Sequence, residues 1–526
     1  MNTKNLIAWT LVLVAIIAVA TFSFNLARQT DFQQGQLDEV QGAPQSDSRL
    51  SAYRPKDFGP SKPSERIRLE NGSTFNLEAT IVEKKIGGIT NYLYGYNSQI
   101  PGPTLEVNQG DKIYVEFTNR LDQPTTVHWH GLRLKNAFDG VPDVTQEEVK
   151  PGGRFRYEVD FPDEGIYWYH PHVREELQQE RGLYGTILVR PNNASYFNEV
   201  NREEVLVLDD MLQNLGELHP FPENVTDFAM MGRYGNQMLI NAETSYNLSV
   251  KKGDVLRLYL LNAANVRPFK FAIQDTKLKV VGGDSGKYER EYVADDLTIT
   301  PSERYIVEVK FDRPGTYKLL NRNPIKEYVL GEIQVSSVET QNVLAFDEPK
   351  ENPEITHGMD AYRKYFDKPV DFDYVLTIDI PGAVPMGMMM QHNDDGIEWE
   401  DAMFGMNRVS TSDRLTWIIR DTKTGKENEE ATNRIPRGKV FKVRFENDAD
   451  SLHPMQHQIH LHGARFLVLD ADEKKNENLV WKDTVLLPVG ASAELLTYFP
   501  NEGEWMLHCH TAEHLSAGMM TSITAT

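Results

Sequence analysis

One cysteine stands in 526 residues. No internal disulfide can form, so buried apolar surface has to hold the chain together, and its length allows two to four domains with large cores. Positive charge is also scarce: 55 Lys and Arg face 77 Asp and Glu, a net charge of −22. That balance argues against nucleic acid and anionic lipid headgroups as partners, and it would concentrate cations near the surface. Long apolar runs are missing, with one exception. Leu6 to Phe24 is apolar, with Lys4 before it and Arg28 after it. Residues 1–29 are therefore expected to be a signal peptide, with small residues Ala18-Val19-Ala20 as its cleavage site, or a membrane anchor. Either reading puts the rest of the chain outside the cytoplasm, exported to the periplasm or medium, or anchored to the membrane with its domains outside. Residues 30–64 are polar and Pro-containing and read as a flexible linker.

The lone cysteine lies in H-C-H-T-A-E-H-L-S-A-G-M, His508 to Met519. A thiolate with imidazoles and a thioether is a donor set for copper, two His and one Cys in a plane with a distant Met. Cys509, His514 and Met519 supply three of those donors. On a strand, neighbouring side chains point to opposite faces. His508 and His510 would then share the face away from Cys509, where they suit a second metal site. Three further clusters carry His-x-His pairs: V-H-W-H-G with His128 and His130, Y-H-P-H with His170 and His172, and H-Q-I-H-L-H-G with His457, His460 and His462. Such pairs share one strand face about 6.5–7 Å apart. The four clusters hold ten of the chain's 14 histidines, too strong a concentration for scattered core residues.

These four motifs, in this order, resemble the three-domain multicopper oxidases: laccases, ascorbate oxidases, ferroxidases and cuprous oxidases. The resemblance covers residues 65–526 and implies a cofactor of four copper ions. It implies type 1 ligands His457, Cys509, His514 and Met519, and type 2 ligands His128 and His460. His130, His170, His172, His462, His508 and His510 are then the ligands of two type 3 ions. The implied reaction is one-electron oxidation of a substrate, a reduced metal ion or a phenol, coupled to reduction of dioxygen to water. A copper-binding protein without activity is the third class; a copper-loaded sample that is colourless and consumes no oxygen would favour it.

From residue 65 onward, short runs rich in Val, Ile, Tyr and Phe alternate with Gly, Pro and Asn turns, the pattern of an all-β chain. A weak repeat appears three times, first at a Gly turn before a strand (Gly110, Gly253, Gly438) and later at a second Gly turn (Gly165, Gly315, Gly503). Similar spacings predict three copies of one Greek-key β-sandwich, which the resemblance identifies as cupredoxin-like. The expected domains are 65–192, 202–338 and 372–526, with a linker at 339–371 holding one or two helical turns. His170 and His508 share a repeat position that holds Leu320 in the middle copy, and Phe269 and Phe271 stand in place of His128 and His130. The middle domain is therefore expected to carry no copper ligands.

The resemblance also assigns proton handling to Asp139, in D-G-V-P-D, and the orientation of a ligand histidine to Asp483. Relatives carry a proton-delivering Glu three or six residues after the cysteine. Here those positions are Ala512 and Leu515, and Glu513, beside His514, reads as exposed. His219 and His392 read as surface or loop residues. Six methionines fall between Met386 and Met406, where 21 residues of average composition would hold about 0.6. Thioethers favour Cu(I). Met386, Met388, Met389, Met390 and Met455 are accordingly expected to form a Cu(I) substrate site, and Cu(I) oxidation in copper tolerance is the first functional reading. A laccase-like oxidase of phenols or aromatic amines is the alternative. Where cuprous oxidases carry an Asp four residues before the type 1 His, this chain has His453.

Overall fold

The computed structural model describes residues 59–214, 217–346, 348–382, 395–472 and 474–526. The N-terminal apolar run, Met386 to Met390 and His392 lie outside the described residues. Among those described, no helix is long and apolar enough to cross a membrane.

The described residues are all-β, in three successive pairs of sheets and one small two-stranded sheet. Period-2 patterning makes the strands. In Lys112–Asn119, Ile113, Val115 and Phe117 point inward and alternate with half-buried Lys112, Tyr114 and Glu116. The same local topology recurs three times. Thr74–Ile86 lies parallel to Lys112–Asn119, Arg202–Met211 to Val255–Asn262, and Phe372–Asp379 to Phe441–Asn447. The second of each pair runs antiparallel to a third strand, at Arg154–Asp160, Arg304–Lys310 and Ser492–Thr497. Each opposing sheet is also built alike. In the first sandwich Gly185–Arg190, Gly165–His170 and His128–His130 lie side by side, the last at the sheet's edge; in the third Met520–Ala525, Gly503–Cys509 and His457–Leu461 lie in the same order.

Strand register refines the comparison with the middle sandwich. His128 pairs with His170 and His460 with His508, and the corresponding pair is Ala272 with Leu320. The counterpart of His128 is therefore Ala272, not Phe269 or Phe271, because the loop leading into that strand differs in length. Ala272 still offers no ligand.

Each sandwich has its own core. Gly165–His170 is buried along its whole length. Tyr167 and Tyr169 face the first core, whereas Ile166 and Trp168 pack with Val207, Tyr259 and Leu261 of the middle sandwich. A strand buried on both faces has no polar alternation, which is why this one reads as continuously apolar. The connection after Glu339 forms a helix, Pro353–Arg363, three turns long, with Pro353 opening it and Arg363 in its last turn. Its Met359 is buried against Leu467, Leu479 and Trp481 of the third sandwich.

Candidate metal centre

Two neighbouring strands organise the centre. Ile459 of His457–Leu461 pairs with Cys509, and His460 with His508. Alternation then separates two faces. Cys509 and Ile459 belong to the core of the third sandwich, and His460 and His508 point out of it toward the first sandwich.

On the core side, His457 Nδ1 lies 3.6 Å and His514 Nδ1 3.8 Å from Cys509 Sγ. A trigonal first-row ion with a metal–sulfur distance of about 2.3 Å and metal–nitrogen distances near 2.0 Å sets sulfur and nitrogen about 3.7 Å apart. The three donors thus fit around one ion. Met519 is buried in the same core, and its carbonyl accepts from the Cys509 N–H at 3.1 Å. Burial pushes the Cys509 thiol up to about 11, so metal loading must displace a proton. Sequence patterns pass over Trp417. Its ring stacks on His514 at 4.1 Å and meets His457 edge-on at 5.0 Å, and its indole N–H donates to the Ala229 carbonyl at 2.8 Å.

On the other side, eight imidazoles converge, four from each outer sandwich. Donor atoms of His130, His170 and His510 lie within 4.8 Å of one another, as do those of His172, His462 and His508, and those of His128, His130 and His460. Six of the outward ring nitrogens are tied to oxygens. His128 Nδ1 donates to the Asp139 carbonyl (2.7 Å), His460 Nδ1 to the Asp483 carbonyl (2.7 Å), His170 Nδ1 to the Pro171 carbonyl (2.9 Å) and His508 Nδ1 to the Cys509 carbonyl (2.9 Å). Carboxylates hold two more: Asp139 accepts from His462 Nδ1 at 2.8 Å, and Asp483 from His130 Nε2 at 3.0 Å. Because an oxygen acceptor demands the proton on the outward nitrogen, the inward one is a lone pair. Nε2 of His128, His170, His172 and His460 and Nδ1 of His130 are buried with no protein partner. His462 Nε2 and His508 Nε2 stand 3.0 Å apart, the separation of adjacent donors on one ion at about 2.0 Å. So many inward-facing buried lone pairs are costly without a cation among them.

Both H-x-H-G glycines are needed for this packing. A Cβ on Gly131 would lie 2.4 Å from an Asp483 carboxylate oxygen, and one on Gly463 would lie 2.1 Å from the Trp505 ring; both residues have positive φ. Asp139 is fully buried, and its Oδ1 lies 3.4 Å from His128 Nδ1. Two expectations need correction. Glu513 is fully buried rather than exposed, because its helix, Ala512–Ser516, packs against the short helix Glu175–Gln178 of the first sandwich. Burial pushes its carboxyl up to about 8, and Asn265 donates to it at 3.2 Å. His219 is buried as well, beside the Phe228 ring and Arg233. Sequence reasoning also missed Glu175, whose carboxylate lies 3.1 Å from His172 Nδ1.

Burial and neighbouring imidazoles depress nine of these histidines. His130, His170, His172, His460, His462, His510 and His514 fall well below 6.5, His457 falls to about 3 and His508 to about 4. A depressed group contributes stability that is fully present above its unfolded pKa, near 6.5, and is lost as pH falls toward the folded value. Each such group adds a slope of about 1.4 kcal/mol per pH unit below 6.5. The metal-free protein is therefore expected to lose melting temperature steeply between pH 6.5 and 4 while changing little from 6.5 to 8. Calorimetry showing a flat profile below 6.5 would contradict the burial of neutral imidazoles.

The one thiol lies across a strand pair from His460 and His508, two of eight converging imidazoles, and these donors suit copper. Comparison with known proteins agrees. Residues 79–194, 168–341 and 401–526 each match a family model described as multicopper oxidase. Multicopper oxidase MmcO of Mycobacterium tuberculosis is 28% identical over 495 residues, covering 88% of this chain and 89% of that protein. A copper resistance protein A homolog of Pseudomonas syringae is 22% identical over 555 residues, covering 86% and 92%. The crystal structure of a multicopper oxidase from Pseudomonas thermotolerans superposes with a TM-score of 0.65 at 25% identity, over 88% of this chain and all of that one. The chain belongs to the multicopper oxidase family, and it is an oxidoreductase of a family that binds copper.

Proposed function

We propose that this enzyme oxidises Cu(I), one electron at a time, at the Cys509 site and reduces dioxygen to water at the histidine cluster. When bound, one copper at His457, Cys509, His514 and Met519 and three among the eight clustered imidazoles would supply the redox chemistry. The chain's own contribution is placement. Carbonyls and carboxylates hold the rings, burial excludes water, and Asp139, bonded to His462, is positioned to hold a proton next to the cluster. The N-terminal run supports an exported or membrane-anchored setting.

One observation carries the Cu(I) reading over the phenol reading. Met455, two residues before His457, is fully buried in the core that contains Cys509. That core also holds Met230 and Met231 of the middle sandwich, with Met403 packed against it. Thioethers suit a soft monovalent ion. His453, fully buried in the same turn, puts an imidazole, itself a copper donor, where cuprous oxidases of the family place a carboxylate. The donors of 386–390 join this proposal on sequence alone.

The test is side-by-side kinetics on Cu(I), Fe(II) and a phenol. Replacing Met386, Met388, Met389, Met390 and Met455 by Leu is expected to lower Cu(I) oxidation at least tenfold, about 1.4 kcal/mol of transition-state stabilisation. Phenol oxidation should fall far less, because Leu keeps the bulk and removes only the sulfur. Equal losses on all three reductants, or no loss on Cu(I), would reject the methionine site.

A further inference from the structure

A side chain of the middle sandwich reaches the Asp483 carboxylate beside the histidine cluster. Arg304 opens the strand Arg304–Lys310 and is fully buried. Its guanidinium meets Asp483 with two bonds, Nη1 to Oδ1 at 2.6 Å and Nη2 to Oδ2 at 2.5 Å. Nε donates to the Ile166 carbonyl at 3.0 Å, on the strand that ends in His170, and Nη1 donates to the Ser302 carbonyl at 3.0 Å. One residue of the middle sandwich therefore grips both outer sandwiches.

Asp483 is the residue through which this grip acts. Its Oδ1 accepts from His130 Nε2, and its carbonyl accepts from His460 Nδ1. His130 belongs to the first sandwich and His460 to the third, and their rings stack at 3.7 Å. A two-bond guanidinium–carboxylate pair is planar and fixes the carboxylate's rotation. With that rotation fixed, His130 has to donate from Nε2 and turn Nδ1 inward. The surroundings are shaped for the pair. A side chain on Gly131 would run into both Asp483 and Arg304. Ser302 holds φ +67, and its hydroxyl lies 3.0 Å from that of Thr484, the neighbour of Asp483. A non-glycine residue keeps that conformation only where its surroundings impose it. The Arg304 backbone N–H donates to Asp284 at 2.8 Å, and Asp284 also accepts from the Asp483 backbone N–H at 3.3 Å.

We propose that Arg304 is a positioning residue of the trinuclear copper site, orienting His130 and His460 through Asp483. The ligand-free middle sandwich would then set the geometry at the junction of the other two. The inference rests on the copper-oxidase reading above.

The experiment uses the copper-loaded full chain as wild type, R304K and R304Q. It records copper per chain, the blue thiolate absorption, the type 2 electron paramagnetic resonance spectrum, the near-ultraviolet type 3 absorption and the melting temperature. R304Q is expected to keep the blue absorption, because the Cys509 site lies on the other face of its strand. It should show altered type 2 parameters, and trinuclear copper affinity or dioxygen reduction lower by about 10–100-fold. R304K keeps the charge without the planar fork and should fall between. Unchanged type 2 and type 3 signals in R304Q would overturn the proposal. So would parallel loss of every copper signal with the melting temperature, since that marks Arg304 as interdomain glue only. If R304Q does not fold, R304K decides, and wild-type signals in R304K overturn the proposal. A wild-type protein with no trinuclear signal would instead overturn the copper-oxidase reading, and this inference with it.

Discussion

Cys509→Ser is expected to abolish the blue absorption and turnover with every reductant while the copper signals of the histidine cluster persist. The colour of such a site arises from charge transfer between thiolate sulfur and Cu(II), and serine has no sulfur. Substitution leaves the fold little disturbed, because the side chain is nearly isosteric and the Thr511 N–H that approaches Sγ at 3.5 Å can bond the hydroxyl. The cluster should keep its metal because Cys509 faces the opposite side of the strand from His508, and none of the three clustered histidine groups includes it. Absorption spectra of the copper-loaded variant make the check, and a surviving blue band would remove Cys509 from the proposed ligand set.

Asp139→Asn carries the second large effect. Its Oδ2 accepts from His462 Nδ1 at 2.8 Å, and its carbonyl holds His128. Asparagine keeps a side-chain acceptor for His462 and the same carbonyl, so copper content should be preserved. It cannot exchange a proton, and a positioned acid contributes about 10²–10⁴-fold to a proton-coupled step. Reoxidation of the reduced variant by dioxygen is expected to slow by about a hundredfold. Reduction of the Cys509 site by substrate needs no proton and should change little. Stopped-flow traces with wild-type reoxidation would refute the proton-handling role; loss of copper would make Asp139 a holder of His462 and His128 instead.

Much of the centre was legible because its signals are local. Alternation along Gly503–Cys509 places Cys509 and His508 on opposite faces whatever the rest of the chain does, and the His-x-His pairs follow the same two-residue period. The all-β class came from the same periodicity. Local reasoning failed where packing decides. Glu513 reads as an exposed acid next to a ligand, and it is buried because another sandwich lays a short helix over it. Trp417 is an ordinary strand residue until the fold stacks it on His514.

The sequence by itself determined which donor side chains stand near one another along the chain: one thiol, ten imidazoles in four clusters and a thioether, with His508 and Cys509 on opposite faces of one strand. Only the tertiary structure decided how those donors are held. His130 bonds Asp483 across 353 residues, His462 bonds Asp139 across 323, and Arg304 bonds Asp483 across 179. No sequence period links such positions. Their meeting depends on how three sandwiches pack, through the buried apolar faces of strands such as Gly165–His170 and the side-chain-free space at Gly131. The tautomers of His130 and His462 follow from those contacts, because each ring turns its lone pair inward where a carboxylate from a distant part of the chain accepts the proton on its other nitrogen.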